Sequence, residues 1–72
     1  MEAANMKRIE KRIKYLAEHM DEYSYEELQN ACAETAEDAW NTIFDKYFCE
    51  CAVQHLRNLQ SLYRFTKMGQ YQ

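Results

Sequence analysis

The chain contains no proline, and its one glycine, Gly69, stands near the C-terminus. Residues 1–68 therefore lack the two residue types that most often end a helix or shape a tight turn. Sheet-rich folds need such turn residues every few positions. The pattern predicts an all-α fold: a three-helix bundle, or a helical hairpin with a long C-terminal helix. Seventy-two residues suit one small domain, 1–72. A chain this short buries only about 60% of its unfolded surface, so its own core is marginal. Aromatic residues make up 14% of the chain, which favours a packed core over disorder.

Met6, Ile9, Ile13, Leu16 and Met20 are spaced 3-4-3-4, one seam of an amphipathic helix expected over about 3–19. Asp21-Glu22-Tyr23 reads as a turn. Ser24 stands three residues before Glu27, the pattern of a capping box, so a second helix starts near Tyr25. Its seam is Tyr25, Leu28, Cys32 and Thr35. A helix unbroken from Tyr25 to Lys67 would be roughly 65 Å long, and helix 1 could cover less than half of it. Thr35-Ala36-Glu37-Asp38 resembles a fresh helix start, with acids where the helix dipole favours them. Helix 2 is therefore expected over about 25–34 and helix 3 over about 36–67, with 69–72 a frayed tail.

Helix 3 carries the heaviest apolar load: Trp40, Ile43, Phe44, Tyr47, Phe48, Cys51, His55, Leu56, Leu59, Leu62 and Tyr63. At about 100° per residue this arc exceeds half the circumference, more than two shorter helices can bury. Self-association is expected through Phe48, His55, Leu59, Leu62 and Tyr63, making a homodimer the expected folding unit.

The net charge is −3, but it is unevenly distributed. Residues 1–17 carry five bases and two acids. Residues 18–50 carry ten acids and the single base Lys46, and residues 51–72 carry Arg57, Arg64 and Lys67 with no acid. The three blocks have net charges of +3, −9 and +3. Pairing of basic helix 1 with the acidic middle accounts for part of this, at about 0–1 kcal/mol per rim pair. The rest is expected to face a basic surface on a partner protein, with acids standing where phosphates would. The residues expected to make that contact are Glu22, Tyr23, Glu26, Glu27, Glu34, Glu37, Asp38 and Asp45.

Direct DNA or RNA binding is disfavoured, because a recognition helix opening on Glu37, Asp38 and Asp45 would repel phosphates. A small dimeric nucleic-acid-binding regulator, using helix 1 and the C-terminal bases, is the alternative reading. A structural subunit of a larger assembly is a third.

Cys32, Cys49 and Cys51 are an odd number, which fits reduced thiols better than a disulfide framework. Cys51 and His55 share a helical face, half of a zinc site that His19 and Cys32 could complete. The spacing matches no finger or knuckle, and small buried core thiols are the expectation, with no metal and no cofactor. No catalytic residues are assigned: the sequence has no Gly-rich loop, and too little chain to enclose a substrate. The N-terminus has no apolar signal region and no apolar run reaches roughly 18–20 residues, so no membrane contact and a cytoplasmic location are expected. Size and lack of motif suit a small inhibitor or adaptor of the kind phages and mobile elements carry.

Overall fold

The computed structural model describes residues 2–68 and contains three helices packed side by side. α1 spans Glu2–Glu18, a 3-10 turn covers Met20–Glu22, α2 spans Tyr25–Thr42 and α3 spans Lys46–Tyr63. A π-helical turn, Arg64–Met68, extends α3. No helix among the described residues is long and apolar enough to cross a membrane.

The seam read along helix 1 faces inward: Ile9 and Leu16 are buried, and Met6, Ile13 and Met20 are half-buried. The capping box is present at the start of α2. The Glu27 amide donates to Ser24 Oγ at 3.1 Å, and the Ser24 amide donates to Glu27 Oε1 at 2.9 Å. Two orphan amides of the first turn are thereby satisfied.

The expected break near Thr35 is absent, and helices bounded 25–34 and 36–67 do not form. Thr35 lies in the middle of α2, buried, and its hydroxyl donates to the Ala31 carbonyl at 2.8 Å. A hydroxyl bonded back to residue i−4 is not available to cap a new helix. The chain instead turns at Ile43-Phe44-Asp45. Ile43 leaves α2 with extended backbone, φ −126° and ψ 125°, and Asp45 opens α3 by accepting the Phe48 amide at 3.1 Å. The break lies at the midpoint of the stretch from Tyr25 to Tyr63. It divides that stretch into two helices of 18 residues, each matching the 17 residues of α1. Three rods of about 26 Å bury one another along their full length, which the unequal division could not do. The tail at 69–72 lies outside the described residues.

The interior has two clusters. One joins Leu16, Leu28, Ala31, Cys32, Leu56, Leu59 and Tyr63, at the end where α1 runs into α2. The other joins Ile9, Ala39, Ile43, Cys49 and Ala52, at the end where α2 turns into α3. Ile13 packs against both.

Candidate functional site

Two outward surfaces carry the residues expected to bind partners. The first is the solvent side of α2. At 3.6 residues per turn, Glu26, Asn30, Glu34 and Glu37 lie opposite the buried Leu28, Cys32, Thr35 and Ala39, and all four are exposed. Trp40 lies one turn beyond Glu37 on the edge of this face and is 48% exposed.

The eight expected contact residues do not form one surface. Asp38 is held by Arg8 of α1, the one ion pair among the described residues. Arg8 also reaches Asn5 and Thr42. Glu27 is occupied in the capping box, and Asp45 caps α3. Tyr23 is half-buried against the core rather than exposed, and its carbonyl accepts the Tyr63 hydroxyl at 2.7 Å. Glu22 is exposed in the 3-10 turn, at the end of α2 remote from Trp40. The acids left on one continuous face are Glu26, Glu34 and Glu37. Charge counting could not make this division, because capping and pairing depend on where the helices start and which faces meet.

The second surface is a groove of about 510 Å³ between α1 and α3. Glu10, Ile13 and Lys14 form one wall. Asp45, Tyr47, Phe48, Cys51, Ala52 and His55 form the other. Of the residues expected to drive self-association, Phe48 and His55 line this groove, and Leu62 is 49% exposed further along α3. Leu59 and Tyr63 are excluded from such a surface. Both are buried in the chain's own core, and the Tyr63 ring additionally packs against Tyr25 in a tilted arrangement, centroids 5.9 Å apart. Tyr47, absent from the expected set, also lines the groove and is 76% exposed, whereas Phe48 is half-buried.

The three thiols divide by environment. Cys32 is buried and donates to the Leu56 carbonyl at 3.8 Å; burial pushes its pKa up, and a hydrogen bond with Gln60 partly offsets this. Cys49 is buried and approaches the Ala39 and Ile43 carbonyls at 3.4 and 3.5 Å. Burial pushes its pKa up, and the carboxylates of Asp45, Glu2 and Glu50 push it further. Cys51 is half-buried on the groove wall. A hydrogen bond to Cys51, and the charge Cys51 takes on ionising, push the Tyr47 phenol above its ordinary value.

His19 stacks on Tyr15 at 4.1 Å, and its Nδ1 lies 2.9 Å from the Tyr15 carbonyl. Cys32 lies in the core while Cys51 and His55 line the groove, so the four residues weighed for zinc are divided among separate environments. No group of three or more metal-ligating side chains converges among the described residues. Comparison with protein-family models, curated proteins and solved structures finds no match to the chain.

Proposed function

We propose that this chain is a non-enzymatic protein-interaction module, a small inhibitor or adaptor that meets a basic surface of a partner protein through the outward face of α2. The observation that carries the reading is the state of Glu26, Glu34 and Glu37. They are exposed on one helical face, and no base of α1 pairs with them among the described residues. Glu26 and Glu37 stand 11 positions apart, roughly 16 Å along the helix. Like charges along such a line create a field that steers a cationic surface into contact. Trp40 beside them supplies the large, rigid side chain that interfaces favour at their energetic centre. Occlusion of a nucleic-acid-binding site follows sterically. Three free cysteines, two of them buried, suit a reducing compartment such as the cytoplasm.

The test is affinity capture from host extract with two baits, the wild-type chain and the variant Glu26→Lys/Glu34→Lys/Glu37→Lys. The reading requires a basic protein that the wild type retains, the variant loses, and about 0.5 M salt releases. Equal capture of that protein by both baits refutes it. Direct binding of the purified chain to a DNA duplex, with affinity falling steeply in salt, refutes it in favour of the regulator.

A further inference from the structure

We infer that the groove between α1 and α3 seats a small zwitterionic disulfide of amino-acid or short-peptide type, and that Cys51 on its wall exchanges with it to form a mixed disulfide. The groove, about 510 Å³, falls within the range of roughly 300–1,000 Å³ usual for small-molecule sites. Its floor is apolar: Ile13 and Phe48 are half-buried and Ala52 is buried. Its charged groups are sorted by end. Ile9 packs with Cys49 and Ala52, and Leu16 packs with Leu56 and Leu59, so α1 and α3 run in the same direction. Along that direction Glu10 and Asp45 precede Lys14 and His55, and Cys51 falls between Asp45 and His55 on α3. The groove is thus acidic toward the α2–α3 turn and basic away from it. No hydrogen bond or ion pair among the described residues occupies the side chains of Glu10, Lys14 or His55. An amino-acid ligand carries the matching pair of charges, an ammonium for the acidic end and a carboxylate for Lys14 and His55.

Cys51 is the thiol placed to react. Cys32 and Cys49 are buried and bonded to backbone carbonyls, whereas Cys51 is half-buried on the groove wall. Tyr47 stands one turn before it and His55 one turn after, and a hydrogen bond joins the Tyr47 phenol to Cys51. In the exchange the Cys51 thiolate attacks one sulfur of the ligand disulfide. A bond between Cys51 and that sulfur forms as the ligand's own S–S bond breaks. The other half leaves as a thiolate and takes up one proton, matching the one that Cys51 released to solvent. The ligand disulfide is the oxidant, and no further reagent enters. Cys49, two residues away, is sealed in the core and cannot resolve the adduct, which lasts until a free thiol in solution removes it. In a reducing compartment the groove is therefore loaded only when the thiol pool turns oxidising. The outward face of α2 is a separate surface and stays available.

The test incubates the reduced chain with oxidised glutathione, or with bis(2-hydroxyethyl) disulfide as the uncharged control, and follows it by intact mass and peptide mapping. A single adduct is expected, at Cys51, with unchanged helical circular dichroism, and none in Cys51→Ser. The rate with oxidised glutathione is expected to saturate with concentration, the mark of a seat filled before reaction, while the control rate rises linearly. Lys14→Glu, a change at an exposed position, is expected to lower the rate with oxidised glutathione about tenfold and to leave the control rate unchanged. Absence of an adduct at Cys51 overturns the proposal, as does equal labelling of Cys32 or Cys49 in the folded chain. A rate with oxidised glutathione that stays linear, or that Lys14→Glu does not change, overturns the seat.

Discussion

The two ends of the interior are built on different terms. At the α1–α2 end the cluster is filled by large side chains: Leu16, Leu28, Leu56, Leu59 and Tyr63. At the α2–α3 end small residues, Ala39, Cys49 and Ala52, let the helices approach closely around Ile9 and Ile43. Polar bonds then secure that end. The Asn5 side-chain amide donates to the Thr42 carbonyl at 3.2 Å, the Glu2 carboxylate accepts the Phe44 amide, and the Cys49 thiol approaches the Ala39 carbonyl of α2 and the Ile43 carbonyl of the turn. The first end depends on side-chain volume and the second on backbone proximity. Opposite kinds of substitution should therefore damage them.

The largest effect is expected at the volume-filled end. Leu28 is fully buried there, and Leu28→Ala should lower the unfolding free energy by about 2–5 kcal/mol, read by urea denaturation. A loss below about 1 kcal/mol would mean that the cluster relaxes to fill the space. At the other end the damaging change is enlargement. Ala39 is fully buried where α2 meets the turn, and Ala39→Leu should cost about 1–3 kcal/mol by overpacking. If Ala39→Leu stabilises instead, the close approach is not a constraint and the comparison fails.

The smallest effect concerns pH. Burial raises the Cys49 and Cys32 thiols, so in the folded chain they ionise at higher pH than in the unfolded one. Below the ordinary thiol value near 9.0 neither state is ionised and stability does not depend on these groups. As pH rises through that value the unfolded chain loses its thiol protons first, so stability falls. The Asp45, Glu2 and Glu50 carboxylates act on Cys49 and not on Cys32. Cys49→Ala and Cys32→Ala are therefore each expected to remove part of the loss between about pH 8 and 10, read by urea denaturation across that range. A variant whose stability falls with pH as steeply as the wild type would mean that its thiol does not contribute to the loss.

Legibility in the sequence followed the range of the interactions. The seam of α1 and the capping box of Ser24 and Glu27 rest on residues three and four apart, and both were readable from spacing alone. The turn at Ile43-Phe44-Asp45 was not, because it contains neither glycine nor proline. Asp45 did carry a signal, a short acid that can accept an amide three residues on. Thr35 with its following acids gave the same kind of signal more strongly. What separates them is tertiary: Thr35 faces the core, and a break there would have left helices of unequal length. The site shows the same limit. A wide apolar arc on α3 could be counted, but the count could not separate Leu59 and Tyr63, which the chain buries itself, from Tyr47 and Leu62, which it leaves exposed. Ten acids in one block were visible, yet Glu27, Asp38 and Asp45 are committed within the chain.

The sequence by itself determined the all-helical class, the inward face of α1 and the start of α2. These follow from missing breakers, from periodicity and from hydrogen bonds that span a single turn. Only the tertiary structure decided where α2 ends, which acids remain unpaired and which apolar residues of α3 stay open to a partner. Each of those depends on which helix lies beside which. That is set by the equal lengths of three rods and the sizes of the residues between them, and no local window of the chain contains it.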